Sequence, residues 1–296
     1  MSGKSKIQWT DATWNPVTGC TKVSEGCRNC WACRLAATRL KHNPRYEGLA
    51  TIHNGLSEWS GQVRLHSDLL DLPLHWRKPR KIFVCPQADL FHDVVPFEFI
   101  KRVWDVAAQR LDHTFQILTK RAERMLEFGR WMAGADDLSI AEWPRNCWLG
   151  VSVEDQKTAD ERIPVLLQTP AAIRFVSYEP ALGPVKFNER WFRYQSAGGY
   201  HFEDAIDWVI AGGESGPHAR PTHPDWFRSA RDQCQAAGVP FFFKQWGEWL
   251  AATILNAPGN PEGDFRRGDA WVSRVGKKRA GRLLDGREWN EFPETR

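Results

Sequence analysis

Six short apolar runs constrain this chain more than any other feature: 81–85 (KIFVC), 114–118 (TFQIL), 147–151 (CWLGV), 173–177 (IRFVS), 207–211 (DWVIA) and 239–243 (VPFFF). Most are continuously apolar instead of alternating, the pattern of strands covered on both faces. Helix-like stretches lie between them at 96–110, 122–132, 155–167 and 224–237. The gap at 181–203 is less regular, and its WFRYQSAGGY reads as a loop excursion. Strands and helices repeated at this spacing predict a parallel sheet with right-handed crossovers. One or two further strands near the N-terminus bring the count close to the eight of a closed barrel. The predicted fold class is therefore α/β, a complete or partial parallel barrel with loop insertions. The barrel-like domain is expected over 1–250, with an N-terminal cysteine loop and an insertion at 43–76. A C-terminal extension, 251–296, is expected to pack on it.

The chain has 296 residues, 42% hydrophobic and 26% charged, enough to bury a sizeable core. Forty basic against 36 acidic side chains leave a net +4, a weak bias towards any polyanion. No apolar run approaches the roughly 18 residues of a membrane span. The opening MSGKSKIQWTD holds no apolar stretch of a secretory signal. A cytoplasmic, non-membrane protein is expected, with its seven cysteines as thiols or metal ligands.

Polar residues follow each run. They are Gln87 and Asp89, then Thr119, Lys120 and Arg121, then Ser152 and Glu154. Glu179-Pro180, the segment Gly212-Gly213-Glu214-Ser215-Gly216, and Lys244-Gln245-Trp246 complete the series. In parallel α/β folds the C-terminal strand ends form the rim that holds ligands. Glu154, Glu179 and Lys244 are the candidate catalytic residues, since carboxylates and an amine there can move protons. His92 and His218 read as hydrogen-bonded loop residues, and Lys277-Lys278-Arg279 as a solvated basic face, with phosphate or anion contact as the alternative. Tryptophans at 9, 14, 31, 59, 246 and 249, beside Gly, Pro or charged residues, suggest stacking surfaces near a site.

Cys20, Cys27, Cys30 and Cys33 fall within GCTKVSEGCRNCWAC, with six, two and two residues between them. Thiolates on one short loop suit a soft metal centre. A zinc knuckle and an iron–sulfur cluster with one open iron both accommodate the spacing. Cys33, at the opening of a helix, is a fourth ligand, a free thiol or a packing residue. Cys85 lies at a strand end facing the rim, whereas Cys147 and Cys234 read as buried small residues.

The runs WNPVTGCTKVSEGCRNCWA, IFVCPQADLFHDVVP, FQILTKR, WLGVSVEDQ, RFVSYEPALGPV, DWVIAGGESGPHARP and FFFKQWGEW resemble a phage-associated three-cysteine-motif family. That family is distantly similar to radical S-adenosylmethionine enzymes and spore-photoproduct-lyase-type proteins. The resemblance implies a radical S-adenosylmethionine-like barrel holding a 4Fe–4S cluster on Cys20, Cys27 and Cys30. S-adenosylmethionine is the implied cofactor, with Glu214 towards its ammonium and Lys120, Arg121 or Lys244 towards its carboxylate. Gly212 and Gly213 would admit a nucleoside. The family more often has an acidic residue where Cys33 stands, and most radical S-adenosylmethionine enzymes have three residues between their first two cysteines. The implied substrate is a nucleotide or nucleic acid, and a partner protein often accompanies the family. The alternative is a non-catalytic zinc or iron–sulfur protein that binds nucleic acid or serves assembly. A metal-independent hydrolase built on Glu154, Glu179 and Glu214 leaves the cysteines without a role.

Overall fold

The structure is a computed structural model, and it describes residues 5–134, 143–192, 205–255 and 264–294. In chain order the strands are β1 (Ala12–Trp14), β2 (Val17–Thr18), β3 (Ala50–His53), β4 (Leu56–Trp59), β5 (Arg64–Leu65), β6 (Lys81–Val84), β7 (Thr114–Thr119), β8 (Cys147–Val153), β9 (Ile173–Tyr178), β10 (Trp208–Gly212), β11 (Phe241–Gln245), β12 (Trp249–Ala251), β13 (Asp264–Arg267) and β14 (Ala270–Arg274). The helices are α1 (Trp31–Ala37), α2 (Phe97–Gln109), α3 (Ala122–Ala133), α4 (Gln156–Gln168), α5 (Pro224–Ala237), α6 (Ala252–Leu255) and α7 (Lys277–Ala280). Most of the expected loop excursion, including the surroundings of Glu203, lies outside the described residues.

Seven strands form one sheet in the order β1-β6-β7-β8-β9-β10-β11, an open parallel half-barrel with β1 and β11 as its outer strands. This is the partial form of the expected barrel. All six apolar runs became strands, and β8, β9 and β10 are buried along their whole length. Burial on both faces explains why these segments are continuously apolar. The helices follow from periodicity: α2 turns Phe99, Ile100, Val103, Trp104 and Ala107 inward at spacings of three and four. Pro224 opens α5, with the His223 side chain accepting a hydrogen bond from the Asp225 N–H.

The chain divides into two compact units, Met1–Val151 with Val165–Arg174, and Ser152–Pro164 with Phe175–Arg296. The first is centred on Trp14, Trp104, Trp148, Phe91, Phe115 and Phe128. Its 43–76 segment forms the antiparallel β3–β4 hairpin, with Asn54 and Gly55 at the turn. The second unit buries Tyr178, Trp208, Trp246, Phe175, Phe227 and Phe241, and adds the antiparallel sheet β12-β14-β13. Trp9, Trp14 and Trp246 are core residues, not stacking surfaces, and the indoles of Trp14 and Trp246 donate to the Leu69 and Leu283 carbonyls.

Buried histidines in the first unit carry a pH consequence. Burial is the largest influence holding His66 and His113 below the ordinary histidine value. The unfolded chain therefore binds more protons once the pH drops below about 6.5, so their contribution to stability is complete above that pH and fades as pH falls through the lowered folded values. Asp112, held at about 2 by Arg110, titrates far below this window. We expect the urea midpoint to fall between about pH 7 and pH 5, and less so in His113→Gln. Equal midpoints for the native chain at both pH values would contradict this assignment.

Candidate functional site

In the first unit, the ends of β1, β6 and β7 bring the cysteine loop against a charged hub. Gly19 starts the loop with φ +89°, and a Cβ there would lie 2.2 Å from the Gln62 carbonyl oxygen. Only glycine tolerates both the backbone angle and that approach. Gly19 also bridges to Ala88 beyond β6, which places Cys20 beside Asp89. The Asp89 carboxylate accepts from Thr119 Oγ1 at 2.8 Å, the Phe91 N–H at 3.0 Å and the Lys120 N–H at 3.2 Å.

Arg121 Nη1 lies 3.1 Å from Asp89 Oδ2 and 3.9 Å from Cys20 Sγ. Its Nη2 donates to Thr21 Oγ1 at 2.7 Å, and Thr21 Oγ1 meets His92 Nε2 at 2.9 Å. Arg121 thus ties the end of β7 to the first cysteine. Asp89, Thr21 and His92 complete that tie, although the sequence alone singled out only Arg121 among the four as a site residue.

The thiols sense one another. Burial pushes Cys20 up to about 12, with the Asp89 carboxylate adding to the rise, Arg121 opposing it, and Cys30 and Cys27 adding further. Burial likewise raises Cys30, and Cys27 adds to it while Lys120 pulls the other way. Cys20, Cys27 and Cys30 are free and partly accessible. Cys33 is different: it is buried on the inner face of α1, and a hydrogen bond from Ser57 partly offsets the burial that raises it to about 11. Cys85 is buried at the end of β6, and Cys147 and Cys234 are core residues.

Among the described residues, no three His, Cys, Asp or Glu side chains stand together as ligands of a metal ion. Tetrahedral zinc needs its sulfurs at about 2.3 Å from one point. An iron–sulfur cluster bonds each thiolate to its own iron, so its cysteines need not converge on one point. The donor chemistry of three soft sulfur ligands on one loop fits such a cluster.

The second unit holds the other candidate residues at the ends of β9, β10 and β11. Glu179 accepts from Lys244 Nζ at 2.8 and 2.9 Å, with Gln245 Nε2 at 3.4 Å. Both members of this pair are partly accessible, with side chains 18% and 17% exposed. The pairing of β10 with β11 shifts register between Ala211 and Gly212, opening Gly212 onto Gln245. A Cβ on Gly212 would lie 3.2 Å from the Glu179 carboxyl carbon, and one on Gly213 would lie 1.9 Å from the Trp246 carbonyl oxygen. The room that each glycine leaves is approached by neighbouring protein atoms, a side chain at Gly212 and backbone at Gly213.

Glu154 and Glu214 are placed differently from Glu179. Glu154 is 1% exposed and takes Arg162 Nη1 at 3.1 Å, while its backbone oxygen accepts from Leu182 and Gly183. Glu214 is clamped by Arg220, with Nη2 at 2.7 Å, Nε at 2.9 Å and the backbone N–H at 2.8 Å. Lys277 was legible only as part of a basic run. Lys277 is an exposed residue whose pKa is lowered first by partial desolvation and then by Lys244, while Glu179 and Glu248 oppose the change. The first residue of α7 is therefore within electrostatic range of the Glu179–Lys244 pair.

An open parallel sheet with thiols and charged residues at its strand ends defines an α/β protein of the half-barrel type. The family described as Protein of unknown function (DUF5131) matches residues 4–293, and the chain belongs to it. No curated protein matches the chain. Among solved structures it is similar to spore photoproduct lyase complexed with dinucleoside spore photoproduct, at 9% identity and a TM-score of 0.42, covering 95% of this chain and 72% of that one. Two single-substitution mutants of spore photoproduct lyase are similar at 10% and 9% identity, with TM-scores of 0.43 and 0.44. They cover 95% and 94% of this chain and 72% of theirs. Among the described residues no helix is long and apolar enough to cross a membrane.

Proposed function

We propose that this chain is an iron–sulfur enzyme of the radical S-adenosylmethionine type acting on a nucleotide or nucleic-acid substrate. The observation that carries the proposal is the loop of three reduced thiols after the first sheet strand, tied at Cys20 to the Asp89–Arg121 hub. Cys20, Cys27 and Cys30 would hold the cluster, leaving one iron for the methionine end of the cofactor. When bound, the cluster and S-adenosylmethionine supply one-electron cleavage chemistry and hydrogen abstraction.

The protein's own groups then divide the remaining work. Lys120, whose charge acts on Cys30, is the cation assigned to the cofactor carboxylate. Arg121 holds Cys20 in place. In the second unit Glu179 and Lys244 form a proton-transfer pair in which either can donate or accept after small movements. Glu154 and Glu214, each paired with an arginine, support the strand ends and do not move protons. Exposed Lys278 and Arg279, beside Lys277 on α7, support a phosphate-bearing substrate.

Anaerobic purification tests this reading. We expect about four irons and four sulfides per chain and a spectral change on adding S-adenosylmethionine. Stoichiometric zinc without sulfide, with reconstitution also failing, would overturn it. A full cluster indifferent to S-adenosylmethionine would overturn the cofactor assignment and leave an iron–sulfur protein.

A further inference from the structure

The three thiols of the loop differ in what surrounds their sulfurs. Cys20 Sγ lies 3.9 Å from Arg121 Nη1 and so meets a full guanidinium charge. Cys27 Sγ lies 4.0 Å from Ser24 Oγ, a neutral hydroxyl. Cys30 receives the backbone N–H groups of Cys33 and Ala32, which partly offset the burial that raises it. A formal charge in contact with sulfur is thus found at Cys20, where the other two have dipoles.

That charge comes with its own counterweight. Arg121 Nη1 also donates to Asp89 Oδ2 at 3.1 Å. Behind burial, Asp89 raises the Cys20 thiol and Arg121 lowers it, so the two act on one sulfur with opposite sign. Their side chains are 8% and 7% exposed, where salt screens them little. Thr119 Oγ1 fixes the carboxylate at 2.8 Å, and Thr21 Oγ1 takes Arg121 Nη2 at 2.7 Å. Asp93, 3.8 Å from Arg121 Nε and 75% exposed, adds a weaker, screened contact.

We propose that the Asp89–Arg121 pair sets the reduction potential of the iron–sulfur cluster on Cys20, Cys27 and Cys30, Arg121 raising it and Asp89 lowering it. The inference rests on the functional reading above. Reduction adds one electron to the cluster and its sulfurs, and no bond is made or broken. A cation against a ligating sulfur favours that added charge, and a carboxylate behind the cation disfavours it. Both residues act through the Cys20 sulfur and are positioning residues. A hub that only held the loop in place would behave differently, because losing either partner would then loosen the same contact and shift the cluster the same way.

The test is an anaerobic optical redox titration of the cluster-loaded full chain, with dithionite as reductant, mediator dyes and no S-adenosylmethionine. Arg121→Met is expected to lower the one-electron reduction equilibrium constant about tenfold or more, a fall of about 59 mV. Asp89→Asn should raise it by a similar factor. Arg121→Lys keeps a cation but loses the fork, and should fall between the native chain and Arg121→Met. These shifts should survive high salt, whereas Arg130→Gln, an exposed cation removed from the same helix, should leave the potential unchanged. Iron, sulfide and a thermal midpoint accompany every variant. Potentials that move in the same direction in Arg121→Met and Asp89→Asn, or stay native in both, would overturn the assignment and leave the functional reading intact. Where Asp89→Asn loads too little cluster to titrate, the series from native through Arg121→Lys to Arg121→Met decides alone, and equal potentials across it sink the proposal. A native chain that takes up no cluster at all would overturn the functional reading, and this inference with it.

Discussion

Replacing Asp89 with alanine is expected to lower stability by about 3–5 kcal/mol, because it removes the buried carboxylate of the Arg121 guanidinium and leaves it only the longer contact at 3.8 Å to solvent-exposed Asp93. Asp89 and Arg121 have side chains only 8% and 7% exposed, and Asp89 also gathers Thr119 and the Lys120 and Phe91 amides. The surface pair Lys101–Asp105 provides the comparison, with side chains 46% and 51% exposed. Breaking it should cost less than about 1 kcal/mol, since solvent screens both charges. Urea midpoints at unchanged m-value measure both. Adding Arg121→Met to Asp89→Ala should recover part of the loss, because the weakly paired charge goes with it. A cost for Asp89→Ala no larger than the surface control would mean that the hub holds nothing together. The consequence for the site is specific: without Asp89, Arg121 loses the anchor that keeps it against Cys20 and Thr21.

The sheet was legible because burial on both faces leaves a continuous apolar trace. Strands expected at 147–151 and 173–177 appear as β8 and β9, each extended by two residues and one residue at its end. The helix at 224–237 matches α5 at both bounds, its start marked by Pro224. Where periodicity failed, the elements were small or half-solvated. β3 has Thr51, Ile52 and His53 all exposed, so no alternation marks it, although Asn54-Gly55 is a turn signal that could have found the hairpin. The antiparallel sheet β12-β14-β13 left no trace beyond a stretch read as an extension.

Partner choice at the strand ends is invisible in one dimension. Glu154, Glu179 and Glu214 each follow a strand, yet Arg162 buries the first, Arg220 clamps the last, and Glu179 faces Lys244. The six-residue separation of Glu214 and Arg220 gives no warning of a bidentate contact. Gly213 likewise reads as space for a ligand, with no hint of the Trp246 carbonyl that approaches it.

Serine substitution of Cys20, Cys27 or Cys30 is expected to remove most of the bound iron, whereas Cys33→Ser should keep it. Each of the three partly accessible thiols would bond its own iron, so losing one leaves a metal corner without its soft ligand. Cys33 lies on the buried face of α1 with Ala32 and Ala36, and Ser57 is its hydrogen-bond partner. A hydroxyl in its place stays within reach of Ser57, so the cost should be limited to packing, about 1 kcal/mol or a little more. Iron and sulfide per chain, read beside a thermal midpoint for every variant, separate lost ligation from lost folding. Iron retained in all three single variants would remove the loop from metal binding altogether. Iron lost in Cys33→Ser at an unchanged midpoint would make Cys33 a fourth ligand. That would close the iron on which S-adenosylmethionine depends, and turn the reading from a radical enzyme towards an iron–sulfur protein that only carries or senses electrons.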